Sequence, residues 1–145
     1  ISTLLSNGRA FKSAINHLET LCSKYEFDLV AGIDARGFIF GSTLSCLLNK
    51  GFIMIRKENK LPGRKVSYEY ELEYGKDTLE VNIDLDTKKV LLVDDLLATG
   101  GTAHASSELI RKSGGSVSCF LSLIELDFLE GRKKLETPVE SLIHY

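Results

Sequence analysis

The chain of 145 residues has no Trp, one Met, two Pro and only 8% aromatic residues, which excludes collagen-like and Pro-rich low-complexity classes. Cysteine is scarce too. Cys22, Cys46 and Cys119 are odd in number, far apart and in no CxxC or Cys/His cluster, so neither a disulfide framework nor a zinc site is expected. They are expected as buried small apolar residues of a cytoplasmic protein. No apolar run approaches the ~20 residues of a membrane helix. The longest are Val90–Val93 and Phe120–Leu126, the latter broken by Ser122 and Glu125, so no membrane partner is expected. Neither charge sign dominates: 18 Lys and Arg against 20 Asp and Glu give a net charge of -2. That offers no general attraction to nucleic acid and leaves room only for a small local anion site. No GxGxxG and no GxxxxGK[ST] occurs, which argues against a dinucleotide fingerprint and a nucleoside triphosphatase. There is no signal-peptide pattern, and the chain opens on Ile1 directly into a helical pattern, so further residues upstream are expected.

What remains is ordinary: 43% hydrophobic and 26% charged residues, the profile of one globular domain over residues 1–145. At this length folding buries roughly two-thirds of the unfolded surface, enough for a core without staples.

Apolar residues at Phe11, Ala14, Ile15, Leu18, Leu21 and Cys22 recur at helical spacing and predict a helix over Arg9–Lys24. Phe27–Ile33 reads as a buried strand, Asp34–Gly37 as a polar break, and Phe38–Leu48 as the next helix. Gly51–Ile55 is a second strand leading into a basic loop, Arg56–Lys65, with Pro62-Gly63 as a turn. Ser67–Tyr74 alternates strictly, with Tyr68, Tyr70, Leu72 and Tyr74 on one side and Ser67, Glu69, Glu71 and Glu73 on the other, the period of an extended strand. Gly75–Asp77 reads as the turn and Thr78–Ile83 as the return of an antiparallel arm. Lys88–Asp95 is the clearest buried strand, Thr102–Lys112 the following helix, Gly114-Gly115 its stop and Ser116–Glu125 another strand. Strand and helix alternate with no solenoid repeat, which predicts an α/β fold: a mostly parallel twisted sheet with helices on both faces, plus the arm.

In such sheets ligands bind where the strands end, so the loop after Val90–Val93 matters most. There Asp94 and Asp95 stand at the strand tip, and Ala98, Thr99, Gly100, Gly101 and Thr102 open a helix. Small residues let backbone N–H groups point inward, the two threonine hydroxyls add donors, and the helix N-terminus adds partial positive charge. Together these make a phosphate cradle. Carboxylates beside it would repel a phosphate, and make sense as acceptors for sugar hydroxyls. Phosphate plus vicinal diol describes a ribose 5-phosphate. The alternative is a tight turn in which Asp95 merely caps the helix and Asp94 is solvated.

The run Val90–Thr102 resembles the 5-phosphoribosyl 1-pyrophosphate (PRPP) motif of type I phosphoribosyltransferases. Leu29–Phe40, Ile55–Lys57 with Lys60–Gly63, Tyr70–Gly75, and Leu123–Leu126 with Phe128–Arg132 resemble the adenine-using branch of that family. The resemblance spans essentially the whole chain. It implies the fold just described, and Mg²⁺-dependent transfer of the phosphoribosyl group from PRPP to adenine, giving AMP and pyrophosphate in purine salvage. It assigns Asp94 and Asp95 to the ribose hydroxyls and Ala98–Thr102 to the 5-phosphate. The loop Ala35, Arg36 and Gly37 would receive pyrophosphate, against the plain reading of Arg36 as a surface residue in a turn. Arg56, Lys57 and Lys60 would be further pyrophosphate contacts, against a solvated charge run.

The arm would be a flexible lid whose Glu73 and Tyr74 reach the reaction centre, Glu73 managing a proton of the base; without the resemblance these glutamates are the wet face of a hairpin. Leu96, with Leu97, would offer the base an apolar face or pack in the core. Mg²⁺ would be held mainly by substrate and water, with no protein cage. The family further implies a homodimer, and an N-terminal hood ahead of Ile1 that reads the base. His17, His104 and His144 are expected as polar surface without partners. The competing readings are a phosphoribosyltransferase for another base and a non-catalytic PRPP-binding regulator.

Overall fold

The computed structural model describes all residues, Ile1–Tyr145. Its central strand is β5 (Lys89–Leu97), in which Val90 through Val93 are fully buried. A continuous apolar run suits a strand covered on both faces. Val90 and Leu92 join a core with Leu109 and Ile110 of α4 (Gly101–Lys112). Leu91 and Val93 join a second core with Ile15 and Leu18 of α2 (Gly8–Cys22) and Phe40 and Leu44 of α3 (Gly37–Leu47). A single turn, α1 (Ser2–Leu5), precedes α2, whose start is capped by Asn7 Oδ1 accepting from the Ala10 N–H at 3.0 Å.

Around β5 lie β1 (Leu29–Ile33), β2 (Gly51–Lys57), β6 (Ser116–Glu125) and β7 (Val139–His144), all parallel. The hairpin of β3 (Val66–Leu72) and β4 (Gly75–Val81) adds antiparallel at the β2 edge, giving the order β3-β4-β2-β1-β5-β6-β7. The mostly parallel, two-faced sheet with an antiparallel arm is thus the fold expected from the alternation of elements. No helix is long and apolar enough to cross a membrane.

Four local expectations are corrected. The hairpin turns at Glu73-Tyr74, because Leu72 pairs with Gly75; Lys76 and Asp77 belong to β4, paired with Glu71 and Tyr70. The period-two pattern extended Tyr74 along the strand, but without a cross-strand partner it is 97% exposed. Strand β2 runs on through Arg56 and Lys57, held by β4 at Glu80 and Leu79, so the loop begins later. Strand β7 and two 3₁₀ turns, Asp127–Leu129 and Gly131–Lys134, were not expected at all. Cys46 is exposed on α3, unlike buried Cys22 and Cys119, because the helix turns it away from the sheet.

Strand order reverses at β1: α3 carries the chain to β2 on one side, and β5 later pairs on the other. The loops leaving β1 and β5 therefore diverge and open a crevice at the strand ends.

Candidate active site

Two extended residues past the apolar part of β5 bring Asp94 and Asp95 to that crevice. Asp95 is 4% exposed, and its backbone N–H donates to Asp94 Oδ1 at 2.8 Å. Burial pushes the Asp94 carboxyl well above the usual carboxylate range, and the neighbouring Asp95 charge adds to it although the Asp95 N–H opposes. Arg36, from the loop after β1, donates from Nε to Asp95 Oδ2 at 2.5 Å. The site thus spans the two diverging loops. Asp95 does not cap α4, whose N-terminus has no side-chain cap, and Asp94 is half-buried rather than freely solvated.

Next comes the turn. Gly100 has φ of +83°, a left-handed conformation that suits glycine. It swings the chain from β5 into α4 and leaves the first-turn N–H groups without intrahelical partners. A cleft of about 200 Å³ is lined by Arg36 and the continuous run Asp94–Ala103. Ala98, Thr99, Gly100, Gly101 and Thr102 all lie on its wall, with Thr99 exposed and Thr102 half-buried. Leu96 is half-buried on the same wall, whereas Leu97 is 1% exposed and belongs to the core.

The other predicted residues are distributed unevenly. Ala35 and Gly37 flank Arg36, and Gly37 packs against the β5 backbone so closely that a Cβ would lie 2.7 Å from Val93 O and 3.3 Å from Asp94 Cα. Arg56 Nε donates to Asp34 Oδ2 at 3.2 Å, and Lys57 Nζ pairs with Asp77 Oδ2 at 2.6 Å. Lys60 is exposed, makes no ion pair and is not on the cleft wall. Glu73 and Tyr74 stand at the exposed hairpin tip, also outside the cleft wall. Each predicted cation next to the site except Lys60 therefore already holds an aspartate from another element.

Sequence reasoning missed four participants. Asp77 was read as a turn residue, yet it binds Lys57. Tyr70 is half-buried between Asp77, which accepts from its hydroxyl at 3.4 Å, and Thr102; burial pushes its phenol up. Glu125, 1% exposed at the end of β6, takes both Nε and Nη2 of Arg132, at 2.7 and 2.6 Å. A charged residue ending an apolar strand, with an Arg seven residues on, was the available signal. His144 also has a partner, Asp127 Oδ1 at 2.8 Å, which raises its pKa, and His17 Nδ1 lies 2.7 Å from Ser13 O. The expectation of unpartnered histidines fails for both.

With this geometry, the chain matches the model of the phosphoribosyl transferase domain over residues 3–141. It is 49% identical to an adenine phosphoribosyltransferase of Caldicellulosiruptor saccharolyticus, over 94% of this chain and 79% of that protein. The crystal structure of an adenine phosphoribosyltransferase from Thermoanaerobacter pseudethanolicus superposes with a TM-score of 0.97 at 47% identity, over 100% of this chain and 86% of that one. The Saccharomyces cerevisiae enzyme, solved with an imino-altritol bisphosphate and adenine, gives 0.88 at 39% identity over 96% and 82%.

Proposed function

The chain belongs to the phosphoribosyl transferase family, among its adenine phosphoribosyltransferases, and from that premise we propose how its residues carry out the reaction. Adenine N9 forms a bond to C1 of PRPP as the bond from C1 to pyrophosphate breaks, and the proton on the base is lost, giving AMP and pyrophosphate. The observation that carries this reading is the juxtaposition of half-buried Asp94 and buried Asp95 with the Ala98–Thr102 turn and Arg36 around one small cleft.

The turn and the α4 N-terminus hold the 5-phosphate, and the aspartates accept from the ribose hydroxyls. Ala35, Arg36 and Gly37, with Arg56 and Lys57 beyond them, receive pyrophosphate, and Lys60 contributes long-range attraction from the loop. Leu96 offers the base an apolar wall. Closure of the hairpin brings Glu73 and Tyr74 over the base, excluding water from the charge that develops on the ribose, and Glu73 accepts the base proton. The outer hairpin is suited to this, since β4 pairs with β2 only at Glu80 and Leu79 while residues 71–76 are all exposed.

Mg²⁺ fits the donor set. Asp94 and Asp95 provide hard oxygens beside an anion cradle, but one oxygen of each is engaged, by the Asp95 N–H and by Arg36. Such a site would hold the ion mainly through substrate oxygens and water, with the free oxygens of Asp94 and Asp95 as the residues that would face it. When bound, it neutralises charge on the leaving pyrophosphate.

The same reading makes residues 1–145 a single domain acting in the cytoplasm as a homodimer, on small molecules rather than nucleic acid or membrane. Support for the dimer is the exposed face of α3 and β2, where Ile39, Leu47 and Met54 are 37%, 50% and 43% exposed. Light scattering checks the mass. The decisive experiment offers adenine, hypoxanthine, guanine, xanthine and orotate in parallel with PRPP and Mg²⁺. AMP and pyrophosphate from adenine are expected; turnover of another base alone overturns the assignment.

A further inference from the structure

The 3₁₀ turns between β6 and β7 touch the phosphate turn directly. A Cβ on Gly131 would collide with Ala98 O and lie 2.9 Å from Gly100 N, and a Cβ on Gly100 would collide with Gly131 O. Two backbones meet here with no side chain between them. Glu130, at φ of +53°, swings Gly131 onto the turn, and Arg132 follows immediately.

Arg132 is anchored from below. Its guanidinium grips both oxygens of Glu125, whose side chain is 2% exposed. Ser141 of β7 donates to Glu125 Oε2 at 2.7 Å and shares a hydrogen bond of 2.8 Å with Ser122 of β6. Glu125 is itself tied in register, its carbonyl accepting from the Tyr145 N–H at 2.9 Å, and the Leu126 N–H donates to Leu97 O at 3.0 Å. The fork thus ties a surface turn to the positions of β6 and β7. Without it, the segment carrying Gly131 is tied down only upstream, where the Asp127 N–H donates to Tyr145 O at 2.8 Å and Asp127 pairs with His144, and by one-turn 3₁₀ hydrogen bonds of poorer geometry.

We propose that the Glu125–Arg132 pair is a positioning device for the 5-phosphate site: it clamps Gly131 against Ala98–Gly100 and so fixes the backbone N–H groups that receive the phosphate. This rests on the reading of Ala98–Thr102 as the seat of that phosphate. Neither residue lines the cleft. Geometry supplies the effect because a bidentate guanidinium fixes orientation as well as distance, which an ammonium cannot.

The test measures, by calorimetry on the full chain, the affinities of AMP, ribose 5-phosphate and pyrophosphate for the wild type, Arg132→Gln and Arg132→Lys. Thermal unfolding is followed alongside. Wild type binding ribose 5-phosphate and a Thr102→Ala variant binding it more weakly establish the phosphate seat independently; failure of both overturns the underlying reading rather than the clamp. In Arg132→Gln, AMP and ribose 5-phosphate affinity falls about 10–100-fold, the usual cost of losing a supporting contact, while pyrophosphate affinity stays within about twofold. Should that variant not fold because Glu125 is left buried without a partner, Arg132→Lys keeps the charge and lies between it and wild type. Unchanged ribose 5-phosphate affinity in folded Arg132→Lys overturns the proposal. So does an equal loss for pyrophosphate, which marks general loosening.

Discussion

The turn after β5 shares one cleft with Arg36 after β1, with Arg56 and Lys57 at the end of β2 beyond it, yet the first is built from backbone and the second from long side chains. The turn is fixed by Gly100 in a left-handed conformation, by direct backbone contact with Gly131 and by the start of a twelve-residue helix. On the proposed reading it would receive an anion without rearrangement. On the other side, Arg36, Arg56 and Lys57 are each held by an aspartate, Asp95, Asp34 and Asp77. There the charge is already satisfied, so on the proposed reading a pyrophosphate group would exchange with internal carboxylates. On that reading one half of the site is preorganised and would bind by presenting donors, whereas the other keeps itself neutral and would bind by substitution.

The sharpest way to break that contrast is to spoil the preorganised half. Gly100→Ala is expected to cost the most, since alanine must hold φ of +83° and place its Cβ against Gly131 O. Backbone strain and overlap together are worth about 2–4 kcal/mol, so ribose 5-phosphate affinity is expected to fall on the order of 100-fold or more. Isothermal calorimetry reads it, and an affinity within threefold of wild type would show the turn to be adaptable. Glu73→Gln comes next and acts on the movable side. It keeps the hairpin and removes the proton acceptor, so kcat falls by about 100-fold while the KM for PRPP stays nearly unchanged. Near-normal turnover would return Glu73 to an ordinary solvated hairpin residue.

The same contrast explains what could be read from sequence. Local rules carried β5, α4 and the turn between them: Val90–Val93 is apolar, two carboxylates follow, and glycines open the helix, all within thirteen consecutive residues. The ion pairs were illegible because their partners lie far apart in sequence; Arg36 finds Asp95 only after β1 and β5 become neighbours. Strand β7 escaped for a similar reason, since Val139–His144 is an edge strand with a weak pattern of its own that forms by pairing with β6. The hairpin turn lies two residues before the expected Gly75–Asp77 because Gly75, though a turn former, closes the ladder opposite Leu72.

Asp94 offers a smaller test within the preorganised half. Its pKa is raised by burial, so the folded chain favours the protonated carboxyl while the unfolded chain ionises near pH 4. The stability this gives is fully present below pH 4 and is lost as pH rises toward the folded pKa, because ionising a largely buried group opposes folding. Asp94→Asn removes the titration and retains an acceptor for the Asp95 N–H. It is expected to match wild type near pH 4 and to exceed it increasingly above, by on the order of 1–3 kcal/mol or several °C in Tm at neutral pH. Ribose 5-phosphate affinity falls in the same variant. A Tm difference that does not grow with pH would show that Asp94 is ionised without cost in the folded chain.

The smallest expected effect belongs to the substituting half, and it carries the opposite sign. Lys57 Nζ and Asp77 Oδ2 are 2.6 Å apart, but the lysine side chain is 53% exposed, so water screens the pair. Exposed pairs contribute about 0.2–1 kcal/mol. Asp77→Asn removes the internal competitor and leaves Lys57 free to meet pyrophosphate, so affinity for pyrophosphate should rise by up to about fivefold at low salt. The gain shrinks as ionic strength increases, because the competing interaction lies near the surface. Ribose 5-phosphate, which lacks the leaving group, should bind as in wild type. Lys57→Met in the Asp77→Asn background separates the causes: it abolishes the gain if Lys57 is the cation released. If Asp77→Asn instead weakens pyrophosphate, the carboxylate supports the movable side rather than neutralising it, and the contrast between the two halves fails at this residue.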